Sequence, residues 1–99
     1  MTAVSVVVPL RNEAENIGPL VDGIGAACAA FAPFEVILVD DGSTDRTAEV
    51  ALGLAAARPW LRVLQHDRGG GQSAAIHSGV LAARAPLIAT LDGDGQNPP

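Results

Sequence analysis

The sequence predicts an α/β domain built on a parallel sheet, and three observations carry that expectation. Short β-branched and aliphatic runs recur along the chain, segments with apolar residues at helical spacing separate them, and clusters rich in Asp, Gly, Asn and Ser follow the runs. Alternation of this kind favours right-handed crossovers between strands that all point one way.

The first run, Val4 to Val8, is short, β-branched and continuously apolar, which is how a strand buried on both faces reads. From Asn16 the apolar positions Ile17, Leu20, Val21, Ile24, Ala27 and Cys28 recur at helical spacing, with Asn16 as a cap and Pro19 in the first turn. This helix ends near Pro33. Phe34 to Val39 reads as a second buried strand, and it stops at the polar cluster Asp40-Asp41-Gly42-Ser43-Thr44-Asp45. Thr44 or Asp45 can cap a second helix whose stripe is Thr47, Val50, Ala51, Leu54 and Ala55 and which stops before Pro59.

Trp60 to Gln65 is the third expected strand, followed by a loop from His66 to Gly71 and a helix on which Ile76, Gly79, Val80 and Ala83 share a face. Pro86 to Leu91 is the fourth strand, and Asp92-Gly93-Asp94-Gly95-Gln96-Asn97-Pro98-Pro99 follows it. The order β-α-β-α-β-α-β amounts to a Rossmann-like parallel sheet, with no repeat, linker or low-complexity tract.

Composition narrows the function classes. The 99 residues suffice for one small domain and fall short of the roughly 100 to 200 usual for a complete one. Hydrophobic residues make up 48% and aromatic residues 3%, so the core must be packed from Val, Ile, Leu and Ala, which favours helices laid closely on the sheet. The net charge of −5, with 11 acidic residues and no lysine, excludes the basic footprint of a nucleic-acid binder. A single cysteine, Cys28, excludes an internal disulfide, reads as an inert core thiol and fits a reducing, cytoplasmic compartment. Arg11 and Glu13 cut the N-terminal apolar run short of a signal peptide, and no stretch is long enough to span a bilayer.

In a parallel sheet all strand C-termini share one edge, where ligands bind at the point at which strand order reverses. The loop after the first strand, Pro9 to Asn16, is a helix lead-in whose proline fixes the chain and whose Asn12 can bond to the turn. After the second strand, Asp40 and Asp41 are adjacent carboxylates that need partners: ribose hydroxyls, base N–H groups or a metal. Helix capping accounts for Asp45 equally well. After the third, Gly69, Gly71 and Ala74 satisfy a relaxed dinucleotide pattern, with Asp92 about 20 residues on. The same glycines can instead let backbone N–H groups and Arg68 approach a diphosphate. His66 and His77 have no visible catalytic partner and read as structural. After the fourth strand, Asp92 and Asp94 flank Gly93, and two hard carboxylates one residue apart can hold Mg²⁺ or Mn²⁺. An Asp-Gly turn is the plainer alternative.

V-V-V-P-L-R-N-E-A-E-N-I (6 to 17), V-I-L-V-D-D-G-S-T-D-R-T (36 to 47), R-G-G-G-Q-S-A-A-I-H-S-G (68 to 79) and L-D-G-D-G-Q-N-P-P (91 to 99) together resemble family 2 glycosyltransferases, and the last is most similar to the polyprenyl-phosphate branch typified by dolichol-phosphate mannosyltransferases. The resemblance implies a GT-A fold, of which residues 1–99 are the nucleotide-sugar-binding part ending just after the D-x-D motif. It implies a UDP- or GDP-sugar donor, with Pro9, Asn12 and Glu13 lining the nucleotide pocket and Asp40 and Asp41 contacting base or ribose. Asp92 and Asp94 would hold the metal and diphosphate, with Gln96 as a further ligand. Inverting transfer to a polyprenyl phosphate at the inner face of a membrane is implied for a full-length protein. The family's acceptor half lies downstream of D-x-D, so this chain is expected to bind donor without efficient transfer, and its open strand edge to favour self-association.

Rival readings come from other classes. A dehydrogenase's NAD domain would use Gly69, Gly71 and Ala74 without metal. A haloacid-dehalogenase-like phosphatase would need its D-x-D-G on the first strand, and a phospho-receiver domain would need a lysine. A non-catalytic binding or assembly module also fits.

Overall fold

The computed structural model describes residues 2–31, 33–66 and 70–91, and within them every expected strand and helix is present. Strand β1 (Val4–Leu10) leads through α1 (Ile17–Cys28) and a 3-10 turn (Ala29–Phe31) to β2 (Phe34–Asp41). Helix α2 (Thr47–Ala56) connects to β3 (Leu61–His66), and α3 (Gln72–Ala82) to β4 (Leu87–Thr90). The four strands form one parallel sheet in the order β3-β2-β1-β4.

That order distributes the helices. Stepping from β1 to β2 to β3 with right-handed crossovers puts α1 and α2 on one face, and the return from β3 to β4 puts α3 on the other. Because side chains alternate along a strand, β1 and β2 are buried on both sides. Val6, Val8, Leu10, Val36 and Leu38 pack with Ile17, Val21, Ile24 and Ala51, whereas Val7, Ile37 and Val39 pack with Ala75 of α3. Cys28 is buried in the first of these cores, as its helical position predicts. The strand order reverses between β1 and β4, and open α/β sheets generally bind ligands at the strand C-termini beside such a reversal.

Half of the face read from the sequence for α3 holds: Gly79 is buried and Ala83 packs against the core, but Ile76 is half-buried, Val80 is exposed, and Ala75 takes the second fully buried place. Close approach explains the difference: a Cβ on Gly79 would stand 2.3 Å from Val7 Cγ1 and 3.3 Å from Val39 Cγ2. The helix lies so near the sheet that only small side chains fit beneath it, and the larger aliphatic residues turn outward. Strand β4 has β1 as its partner among the described residues, and Leu87, Ile88 and Leu91 are exposed.

A polar cluster ties the N-terminal edge of the sheet together. Glu35, near the start of β2 and 5% exposed, accepts hydrogen bonds from Ser5 Oγ at 2.5 Å, Arg84 N–H at 2.7 Å and Arg62 Nη1 at 2.8 Å. Arg62 Nη1 also donates to Ala82 O, and Ser5 Oγ accepts from Ala85 N–H. Burial alone would raise the Glu35 carboxyl, but the Ser5, Arg84 and Arg62 donors outweigh it and hold the group below its ordinary value.

Candidate functional site

Strands β1, β2 and β3 end at one level, because Leu10 is in register with Asp40 and Asp41 with His66. The loops leaving them are cross-tied by hydrogen bonds. Asn12 adopts φ 53°, a left-handed conformation that Asn tolerates better than most residues. Its N–H donates to Ser43 Oγ at 2.8 Å and its Oδ1 accepts from Thr44 N–H at 2.8 Å. Glu13 N–H donates to Thr47 Oγ1 at 2.8 Å, and the Thr47 hydroxyl donates in turn to Asp45. The loop after β1 is thus held against the start of α2.

The expected caps are partly as read. The capping position of α2 falls to Arg46, whose side chain makes no capping bond; Asp45, one residue earlier, accepts the first helical N–H, that of Thr47, at 2.9 Å from outside the helix. The Thr47 hydroxyl is the main reason its carboxyl lies below the ordinary value. Asn16 occupies the capping position of α1 but does not cap with its side chain, which donates to Glu13 Oε1 at 2.9 Å.

The two adjacent carboxylates face opposite sides of the sheet and have different partners. Asp40 is 4% exposed and accepts from the Ser43 hydroxyl and, at 3.3 Å, the Ser43 N–H, which closes the turn around Gly42. Asp41 is equally buried and accepts from Gly70 N–H at 2.9 Å, Gly71 N–H at 2.8 Å and His66 Nδ1 at 3.1 Å. Burial alone would raise the Asp41 carboxyl, but the Gly70, His66 and Gly71 donors prevail and hold it below its ordinary value. An ionised carboxylate only accepts, so His66 carries a proton on Nδ1. Its Nε2 lies 2.9 Å from Ser78 Oγ on α3.

Pro9, Glu13 and Asp41 line a cleft of about 220 Å³ together with Leu10, Arg11, Gly71 and Gln72. Asn12 opens instead on a neighbouring hollow with Glu13, Asn16 and Asp45, and Asp40 is turned to the turn at Ser43. Arg68, Asp92, Gly93, Asp94 and Gln96 lie outside the described residues, and so does Gly69. β4 brings the chain to this edge: Leu91, one residue before Asp92, donates its N–H to Val7 O at 3.0 Å.

Three readings are refined here. His66, read as structural and without a catalytic partner, has hydrogen-bond partners, since parallel strands in register set its ring beside Asp41; two polar residues at the ends of consecutive strands are the signal that could have revealed the pair. The N–H groups of Gly70 and Gly71, offered from sequence to a diphosphate, are donated to Asp41. The dinucleotide pattern also falls away, because that fingerprint follows the central first strand of its fold, whereas these glycines follow β3 at the edge of the described sheet.

The profile of the family described as "Glycosyl transferase family 2" matches residues 5–99. The chain belongs to this family. Among similar proteins, family 2 relatives include dodecaprenyl-phosphate galacturonate synthase of Rhizobium johnstonii, 46% identical over 96% of this chain and 29% of the relative. Undecaprenyl-phosphate 4-deoxy-4-formamido-L-arabinose transferase of Edwardsiella ictaluri is 44% identical over 97% of this chain and 30% of the relative. The chain therefore spans under a third of the length of these relatives.

Solved glycosyltransferase structures share the family 2 chain's fold. The mannosyltransferase PcManGT from Pyrobaculum calidifontis, in complex with GDP-Man and Mn²⁺, superposes with a TM-score of 0.83 at 28% identity, over 92% of this chain and 27% of that one. S. aureus TarS 1-349 in complex with UDP-GlcNAc gives 0.82 at 26% identity, over 94% and 27%. The expected GT-A fold class is thereby borne out, as is the resemblance to the polyprenyl-phosphate branch. No helix among the described residues is long and apolar enough to cross a membrane.

Proposed function

We propose that this chain is the donor-binding part of a metal-dependent glycosyltransferase that moves a sugar from a UDP- or GDP-sugar to a polyprenyl phosphate with inversion. The observation that carries the reading is the cleft lined by Pro9, Glu13, Asp41 and Gly71 at the strand C-termini, beside the reversal of strand order. A site there suits a nucleoside diphosphate, which needs shaped polar loops at the end of a parallel sheet. In this reading Asn12 and Asp40 fix the loops that Pro9, Glu13 and Asp41 present to the nucleoside. Arg68 contributes charge for the diphosphate, and Asp92, Gly93 and Asp94 close the donor site.

The donor set Asp92, Asp94 and Gln96 is all hard oxygen, which fits Mg²⁺ or Mn²⁺ better than a softer ion. Such an ion, when bound, neutralises charge on the departing diphosphate. The polyprenyl phosphate relatives support a lipid-phosphate acceptor, whose oxygen is already anionic and needs little help from a general base. A full-length protein of this kind works at the cytoplasmic face of a membrane. The isolated chain is expected to bind donor with little turnover, and its exposed β4 supports self-association, which sedimentation at rising concentration measures.

Calorimetric titration of the purified chain with UDP, GDP and NAD, each with and without Mn²⁺, tests the function. Metal-dependent binding of UDP or GDP is expected and identifies the donor class. Metal-independent binding of NAD alone would overturn the reading.

A further inference from the structure

The glycine-rich segment after β3 begins α3 and contributes Gly71 and Gln72 to the cleft wall. Gly71 has φ +93°, a backbone that side chains disfavour. The N–H groups of Gly70 and Gly71 are held by another strand. Both oxygens of Asp41 are occupied by the N–H groups of Gly70 and Gly71, and Asp41 Oδ1 is also held by His66 Nδ1. His66 is anchored in turn through Nε2 to Ser78, almost two turns into α3. A chain of hydrogen bonds thus runs from the body of α3, through the end of β3 and the end of β2, to the backbone beside the cleft.

The geometry points to His66 as a positioning residue for the donor site: with Ser78 behind it, it orients the Asp41 carboxylate that holds the Gly70 and Gly71 backbone against the cleft. The inference rests on the donor-binding reading and deepens it. His66 is not among the residues that line the cleft, so its influence there passes through Asp41. It acts by fixing a carboxylate that would otherwise have freedom to rotate away from the two N–H groups. Asp41 itself, with three protein donors on its two oxygens, becomes an organiser of the loop as well as part of the cleft lining.

The proton arrangement gives a signature that a packing role would not produce. With Asp41 as acceptor, the neutral ring has its proton on Nδ1, and Nε2 is left to accept the Ser78 hydroxyl. Nitrogen NMR of the histidine ring reads that tautomer directly.

The test combines this spectrum with calorimetry against UDP and GDP in the presence of Mn²⁺. His66→Ala should weaken nucleotide binding about tenfold, the worth of one charge-assisted hydrogen bond, while the variant still unfolds cooperatively. His66→Asn, which returns an N–H toward Asp41, should recover most of that loss. Ser78→Ala leaves the Asp41 contact in place and should cost about threefold; it serves equally if His66→Ala does not fold. Wild-type affinity in folded His66→Ala or Ser78→Ala, or a neutral ring protonated on Nε2, would overturn the inference and leave the donor-binding reading intact. A wild-type chain that binds neither nucleotide would instead remove that reading, and this inference with it.

Discussion

Strand β2 carries a buried carboxylate at each end of the same face, and the two do different things. Glu35 and Asp41 are six residues apart, so both point toward α3 and stand about 20 Å from each other along the strand. Each is about 5% exposed or less, each accepts at least one backbone N–H, each has a basic side-chain partner, and each carboxyl is held below its ordinary value. Their surroundings separate them. The partners of Glu35 join β1, β3 and the link from α3 to β4 into a closed cluster. The partners of Asp41 are a histidine and two glycines, one of which lines a cleft. A perturbed acid is therefore no sign of a site by itself; what matters is whether the groups it orders face solvent or each other.

The largest effect should come from the closed end. Glu35→Ala removes the acceptor shared by Arg62, the Arg84 N–H and Ser5, and although Arg62 is partly exposed and keeps Ala82 O, the loss of three bonds to one buried carboxylate costs about 3 kcal/mol. Urea denaturation measures the loss, and nucleotide affinity of the folded fraction should stay at the wild-type value. A binding defect in folded Glu35→Ala would break the distinction between the two ends. The milder Glu35→Gln sharpens it through pH. A carboxyl depressed in the folded state releases its proton there more readily than in the unfolded chain. Its stabilisation is therefore complete above the ordinary carboxylate value near 4 and is lost as the pH falls through the lower folded value. Denaturation midpoints measured down the acid range should fall less steeply in Glu35→Gln than in wild type.

Asp41→Asn should show the reverse balance. The amide keeps the shape but turns one acceptor into a donor facing N–H groups, a loss of about 1–3 kcal/mol in stability. Nucleotide affinity should drop by about tenfold or more because the loop beside the cleft loses its anchor. Calorimetry and denaturation on the same sample separate the two quantities. A stability loss with unchanged affinity would make Asp41 a second Glu35.

The two ends were not equally legible in the sequence. Asp41 stands out because it sits beside Asp40 where an apolar strand stops, and a charge at a strand end demands a partner. Glu35 offers no such mark: a lone acid near the start of an apolar run reads as a strand boundary. Its partners Ser5, Arg62 and Arg84 lie 30, 27 and 49 residues away, joined only once the strand order is known. His66 was missed for the same reason, since its pairing with Asp41 follows from register between β2 and β3. Strands and helices were readable because hydrophobic periodicity and the turn residues that interrupt it are local. The face of α3 was legible only in part: Gly79 and Ala83 of the stripe do meet the core, but the distance between helix and sheet admits Ala75 where the aliphatic residues Ile76 and Val80 were expected. The D-x-D residues and Arg68 rest on the sequence alone, as they lie outside the described residues.

Asn12 gives the smallest effect and the finest discrimination at the open end. Its side chain holds Thr44 N–H, and its backbone sits at φ 53°. Asn12→Ala loses the hydrogen bond and forces alanine into a left-handed conformation, together about 1–2 kcal/mol. Asn12→Gly loses the same bond but takes that backbone freely, so its stability cost should be smaller. The lost tie between the β1 and β2 loops is common to both. If the cross-tie shapes the nucleotide cleft, the two variants should bind UDP or GDP equally weakly while differing in denaturation midpoint. If only backbone conformation matters, glycine should bind as wild type does and alanine alone should fail, which would confine the organising role at this edge to Asp41 and its partners.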